Sequence, residues 1–217
     1  MTETNGSNHK DFPEWMVTQA LASYLGAEGS EKTQRMAWLF DLDAQTSSGV
    51  CKLRELCGFT WAPGEVGGGA EKSFKDKGED RDRGNIAVDD FKKIYLTITP
   101  DFRYWKPKGE KQKQLIIEAK GTTNPIGQRD RLQAERYFAY MRDSGFEGAI
   151  VYFVPNPERW LAWLKGVAGN SPVPFGVVDL KLSIVPKLAN ELVRVVVKTL
   201  VQTADLLNIA LRFSSTV

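Results

Sequence analysis

The apolar positions of this chain change period along its length, and the changes mark its elements. Over residues 11–25, Phe12, Met16, Ala20 and Tyr24 recur at helical spacing with Trp15 beside them. Asp11 is placed to cap this helix, Pro13 fits its first turn and Gly26 ends it. A second helix is predicted over 30–44, with Ser30 as cap and Met36, Leu39 and Phe40 on one side, and a shorter third over 49–56. Between 59 and 83 the periodicity gives way to Gly and charge, the composition of a surface loop. Its Gly67-Gly68-Gly69 run lacks the Gly-Lys-Ser/Thr ending of a nucleotide loop, which removes that reading, while Lys72, Lys75 and Lys77 could still contact a polyanion. A short strand over 86–91 is interrupted by Asp89 and Asp90, which favour a turn.

From residue 93 the period becomes that of strands. Strands are predicted over 94–99 and 102–106, a polar turn over 107–113 and a third strand over 114–120. Side chains alternate along it, so Leu115, Ile117 and Ala119 share one face and Ile116, Glu118 and Lys120 the other. A helix follows after Arg129, then a buried-type strand over 149–154 that pairs with the motif strands after a helical crossover. Trp160, Leu161, Trp163 and Leu164 mark a core-covering helix over 158–167, rather than an aromatic stacking box. A strand is predicted over 177–185, and a long helix over 186–213 carries more apolar surface than a solvated helix needs. The chain therefore divides into a flexible tail, 1–10, and a single domain, 11–217, with a Gly- and charge-rich loop near 62–84 and a core over 86–154. The order of elements predicts an α/β fold with a small mixed central sheet flanked by helices.

Composition narrows the chemistry. The net charge of +2 over 217 residues is too small to argue for nucleic acid by itself, so the distribution of charge matters more. The polar N-terminus carries no secretory signal, and no segment is apolar for long enough to span a bilayer. Cys51 and Cys57 read as reduced thiols, which fits a cytoplasmic location. The single histidine, His9, lies in the tail, so histidine-based catalysis is not expected.

Glu118 and Lys120 are charges at the end of a strand that reads as buried, and they need a partner there. Asp101, after Pro100 at the start of the preceding strand, is brought beside them if 102–106 and 114–120 form a hairpin. Two clustered carboxylates offer oxygen ligands to a hard divalent cation, Mg²⁺ or Mn²⁺, with water and substrate phosphate completing its shell. Lys120 would then position or activate the attacking water. The blander arrangement of the same residues is a surface salt bridge between Asp101 and Lys120.

Pro100-Asp101 with Glu118-Ala119-Lys120 resembles the PD-(D/E)XK nuclease superfamily, and Gln133 with Tyr137 resembles the QxxxY motif of its RecB-type members. The resemblance spans residues 86–154. It implies a restriction-endonuclease-like core and Mg²⁺-dependent hydrolysis of DNA, with RNA not excluded. It makes Asp101, Glu118 and the carbonyl of Ala119 metal ligands, Lys120 the residue acting on water, and Gln133 and Tyr137 residues that position the strand. An acid from the first core helix often completes such a site; Glu55 and Glu31 are both candidates. Arg103, Lys106, Arg129, Arg131 and Arg136 flank the motif and are the expected nucleic-acid contacts, with Lys108, Lys111 and Lys113 on the hairpin beside Tyr104 and Trp105. Three alternatives share these features: a nuclease resolving branched DNA such as Holliday junctions, a non-catalytic nucleic-acid-binding module, and an interaction protein. In the first and last of these the C-terminal helix would hold a second copy or a partner protein.

Overall fold

In the computed structural model, residues 12–26, 29–60, 69–70, 100–106, 113–121, 126–143 and 145–214 are described. The first helix, α1, covers Glu14–Leu25 and begins at Pro13, whose fixed φ suits a helix start. The second, α2, covers Gly29–Phe40. It stops short of residue 44 because Asp43–Thr46 is a strand, β1, paired antiparallel with β2, Gly49–Lys52. The first half of the third predicted helix is thus the second strand of a hairpin, and only Leu53–Cys57 (α3) is helical. The turn between β1 and β2 carries the reason: Thr46 Oγ1 bonds Gly49 O at 2.8 Å, and Gly49 has φ +130, a conformation that excludes a side chain.

Gly69–Ala70 (β3), Phe102–Lys106 (β4) and Lys113–Ala119 (β5) follow, then α4, Gln128–Asp143, and β6, Glu147–Val154. The helix α5 covers Pro157–Ala168, with Asn156 Oδ1 accepting from Arg159 N. The last strand, β7, is Phe175–Asp179; a π-helical turn, Leu180–Ile184, replaces the predicted continuation of that strand, and Asp179 Oδ1 accepts from Leu182 N at its start. The final helix, α6, is Ala189–Ser214, so it begins three residues after Pro186. Expectations for the tail over 1–10, the cap Asp11, the strands over 86–91 and 94–99, Lys72, Lys75, Lys77, Lys108, Lys111 and the side chains of Trp105 and Lys106 lie outside the described residues.

The seven described strands form one mixed sheet in the order β2-β1-β7-β6-β5-β4-β3. β5, β6 and β7 run parallel, and the remaining pairs are antiparallel. The crossovers β5-α4-β6 and β6-α5-β7 step in one direction along the sheet, which puts both helices on the same face. Ile116, Ile150, Tyr152, Val154 and Val177 point to that face and meet Ala134, Phe138, Met141, Trp160 and Leu164. Leu115, Ile117, Ala119, Ala149, Val151, Phe153 and Val178 point the other way, onto α1, α2, α3 and the start of α6. The chain is therefore an α/β fold in three layers, and the predicted alternation along 114–120 holds. Gly148 (φ +132) is obligatory in β6, since a Cβ there would lie 1.7 Å from Gln114 O of the neighbouring strand.

Leu188 and Leu192 anchor α6 in the core, and Ser23 of α1 donates to buried Glu191 at 3.1 Å. Beyond this anchor, Val193, Val196, Val197, Leu200 and Val201 are exposed. Among the described residues, no helix is long and apolar enough to cross a membrane.

Candidate active site

The face of β5 that meets α4 is polar. Gln114, Glu118 and Lys120 are all buried there. Helix α4 answers with Asp130, Gln133, Tyr137 and Tyr140, spaced by three or four residues and hence on one stripe. Tyr140 Oη donates to Gln114 Oε1 at 3.2 Å at one end of this seam.

At the other end four hydrogen bonds close a ring. Lys120 Nζ donates to Glu118 Oε1 at 2.8 Å, and Tyr137 Oη donates to Glu118 Oε2 at 2.8 Å. Gln133 Nε2 donates to Tyr137 Oη at 2.7 Å, and Lys120 Nζ reaches Gln133 Oε1 at 3.5 Å. Lys120 also meets Asp130 Oδ1 at 3.0 Å and Glu14 Oε1 at 3.5 Å. Asp130 is fixed in turn by Gly127 N–H at 2.8 Å. A lone ammonium in this position would be costly; three carboxylates offset the loss of hydration.

Asp101 precedes β4, one step beyond the Phe102–Ile117 pair of the β4–β5 hairpin. Its Oδ2 accepts from Ala119 N–H at 2.7 Å, so it sits at the strand end that carries Glu118 and Lys120. The surface salt bridge between Asp101 and Lys120 is not what forms; the ammonium turns to Glu118, Asp130 and Glu14 instead.

The electrostatics reflect crowding of acids. Burial pushes the Asp101 carboxyl well above the usual range, the Glu118 charge adds to this, and Glu14 adds further; the Ala119 N–H and Lys120 oppose it. Burial also raises Glu118, against the opposing pull of Lys120 and the Tyr137 hydrogen bond. Burial alone would lower Lys120, but the Glu118 charge and hydrogen bond, with Glu14 and Asp130, outweigh it and raise its pKa. Lys120 is therefore an ammonium at neutral pH. Tyr152 pairs in register with Glu118 across β5 and β6. Its buried hydroxyl is raised by burial and by the Glu118 and Asp130 charges, and has no hydrogen-bond partner among the described residues.

Such a site suits a divalent cation in its chemistry. The donors are hard oxygens, their mutual repulsion is only partly offset by one ammonium, and Mg²⁺ commonly uses one or two carboxylates with water and phosphate. Among the described residues, no three Asp, Glu, His or Cys side chains form a ready-made metal cage. Asp101 and Glu118, with the Ala119 carbonyl, remain the donors to which such an ion would bind.

Several expectations change. Glu31 ion-pairs with Arg35 at 2.6 Å, and Glu55 accepts from Lys52 N at 3.0 Å as part of a capping box; neither is tied to the site. The first-helix acid that reaches Lys120 is Glu14, at 3.5 Å. Arg103 is not a surface contact: it is buried, and its Nη1 donates to Tyr140 Oη at 3.2 Å. Alternation explains this, because Arg103 faces α4 beside Ile116. Arg129 and Arg131 are exposed on α4, Arg136 is half-buried, and Arg131 pairs with Glu135 at 2.9 Å. Lys113 reaches Gly58 O at 3.3 Å. Gln133 and Tyr137 bond directly to Lys120 and Glu118 and so hold the charged residues in place.

Three residues escape a motif-based reading. Asp130 is legible only as the third member of the Gln133–Tyr137 stripe. Tyr152 carries no local signal. Gly121 follows Lys120, and a Cβ on it would lie 2.6 Å from Glu14 N and 3.0 Å from Phe12 O. Its bare backbone lets the start of α1 reach the end of β5. Comparison with protein-family models, curated proteins and solved structures returned no match.

Proposed function

We propose that this chain is a metal-dependent nuclease of the PD-(D/E)XK type, with a restriction-endonuclease-like core, that hydrolyses phosphodiester bonds in DNA. One observation carries the reading. The ring of buried Glu118, Lys120 and Tyr137 with half-buried Gln133, and Asp101 at the same strand end, brings the residues of both motifs together. A buried ion pair accounts for carboxylates around the ammonium; the coincidence of that pair with the Pro100-Asp101, Glu118-x-Lys120 and QxxxY spacings is what favours the nuclease reading.

A divalent cation, Mg²⁺ or Mn²⁺, held by Asp101, Glu118 and the Ala119 carbonyl with Glu14 nearby, would lower the pKa of bound water and offset phosphate charge. The protein's own residues supply the rest. Lys120 is an ammonium in the metal-free protein and would help deprotonate the water only once a bound ion lowers its pKa. It orients the attacking water and offsets the negative charge that grows on the phosphoryl oxygens. As the water oxygen bonds to phosphorus and gives up a proton to solvent, the bond from phosphorus to the leaving oxygen breaks, and that oxygen takes a proton from solvent. Tyr137 and Gln133 fix Glu118 and Lys120 so that neither reorganises during the step.

The test is a titration of Mg²⁺ and Mn²⁺ with labelled single-stranded, duplex and four-way-junction DNA. Metal-dependent cleavage that is lost in Asp101→Asn and Glu118→Gln supports the reading. Binding without cleavage at any metal concentration would leave the nucleic-acid-binding module. Cleavage confined to the junction would favour the resolving nuclease.

A further inference from the structure

A cleft of about 670 Å³ opens between the start of α4 and α5, lined by Ile126, Gly127, Gln128, Arg131, Arg159 and Trp163. Its volume lies within the range of about 300–1,000 Å³ typical of ligand sites. It adjoins the candidate active site, since Asp130, next to Arg131, binds both Lys120 and the Gly127 N–H. Among the described residues its lining carries two guanidinium groups and no acid. Arg159 is exposed on the first turn of α5, and Arg131 is exposed on α4. The amino end of α4 adds backbone N–H groups and a positive dipole end, which favour an anion.

Trp163 forms the aromatic wall. Its ring packs edge-on against Trp160 at 5.2 Å and against Tyr152 at 6.3 Å, while part of it remains exposed. Tyr152 lies across from Glu118 in the sheet. The wall is therefore a rigid platform tied to the strand next to the reacting groups. Rigid aromatic surface beside two exposed guanidinium groups, of which Arg131 would exchange its exposed pairing with Glu135 for phosphate, suits a nucleotide: phosphate on the guanidinium groups, base on the indole.

We propose that this cleft binds an unpaired nucleotide of the substrate strand, with Arg131 and Arg159 on phosphate and Trp163 stacked on the base. This rests on the nuclease reading for its place beside the scissile bond. It makes the substrate single-stranded or frayed at that point, because a base inside a duplex has no free face for Trp163.

The experiment is binding of fluorescein-labelled oligodeoxyuridylate, oligouridylate and a duplex of equal length, in chelator, followed by anisotropy. Trp163→Leu and Arg159→Ala should each weaken binding of both single strands by about tenfold, stacking and one charge-assisted phosphate contact being of this order. Arg159→Ala should also make the salt dependence shallower, by about 0.7 in log–log slope. The tighter single strand identifies the sugar. Arg159→Glu, at an exposed position, should weaken binding further without changing the melting temperature, so the result does not depend on how Trp163→Leu packs. Unchanged single-strand affinity in Arg159→Glu and Trp163→Leu would overturn the cleft. So would duplex binding as tight as single-strand binding and equally sensitive to both changes. Hydrolysis is scored separately, with metal. If wild type never cleaves but the variants lose single-strand binding, the cleft stands and the nuclease reading falls. If both variants cleave with wild-type kcat/KM, the cleft falls and the nuclease reading stands.

Discussion

Tyr137 donates its hydroxyl to Glu118 Oε2 at 2.8 Å while accepting from Gln133 at 2.7 Å. The phenol is thus fully buried and fully used, at once a core aromatic and a holder of a charged acid. Tyr137→Phe should cost about 1–3 kcal/mol in urea unfolding, because it leaves the Gln133 amide and a buried carboxylate each a bond short. It also removes a bond that favours the Glu118 anion, so Glu118 should deprotonate at higher pH than in wild type. The acidic limb of the pH–rate profile should move up by the same amount. A profile that keeps its limb while activity falls in step with stability would make Tyr137 structural only.

Lys120 brings a single ammonium into contact with Glu118, Asp130 and Glu14. Lys120→Ala should abolish most turnover and, in chelator, cost about 3–5 kcal/mol, since it strands buried carboxylates. If Mg²⁺ or Mn²⁺ binds as proposed, it would supply positive charge to the same acids, so the loss should shrink when the ion is present. Thermal melting with and without metal checks this. A deficit of equal size in both conditions would show that ion and ammonium do not share those acids.

Local pattern in the sequence encodes the heart of the site. Alternation in 114–120 puts Glu118 and Lys120 on one face of a strand, and the four-residue spacing puts Gln133 and Tyr137 on one face of a helix. Charge pattern is a poorer guide. Arg103 lies among hairpin lysines in sequence, yet its strand position turns it inward to Tyr140. The β1–β2 hairpin escapes the apolar pattern because its short strands are half-polar, although Thr46-Ser47-Ser48-Gly49 is turn chemistry. Glu14 is out of reach for a different reason. Its place depends on the approach of α1 to the end of β5, a contact between segments far apart in the chain that no local period encodes.

Crowded acids also set a pH dependence. Asp101 has a folded pKa raised well above its ordinary 3.8. A raised acid stabilises the fold fully only below its unfolded pKa, and that contribution is lost as pH rises through the folded value. The metal-free protein should therefore lose melting temperature as pH rises from about 3.8 toward and through that raised value. Asp101→Asn keeps an oxygen for the Ala119 N–H and cannot ionise. It should flatten the dependence, melt above wild type at neutral pH in chelator, and be inactive. A wild-type melting temperature that climbs across this interval, with no difference in Asp101→Asn, would rule out repulsion among these acids as its cause.

Gly121 links the core of the sheet to the last acid of the site. A Cβ at this position would meet the backbone of Glu14 and Phe12, not a flexible side-chain end, so the start of α1 must move if the glycine is replaced. Gly121→Ala should cost about 1–3 kcal/mol, as overpacking against fixed backbone does. It should also lower metal-dependent cleavage by carrying Glu14 away from Lys120. Glu14→Gln removes the same charge without moving α1, so its melting temperature should stay nearer wild type while its activity falls. If both act through Glu14, the double variant should be no less active than the worse single one, since a displaced carboxylate has little left to lose. Glu31→Gln, whose carboxylate is engaged with Arg35 on the exposed side of α2, should cleave like wild type. Cleavage rates and urea unfolding on the four variants decide it. Full activity in Gly121→Ala, beside a clear loss in Glu14→Gln, would show that α1 tolerates the shift and that the glycine serves packing alone.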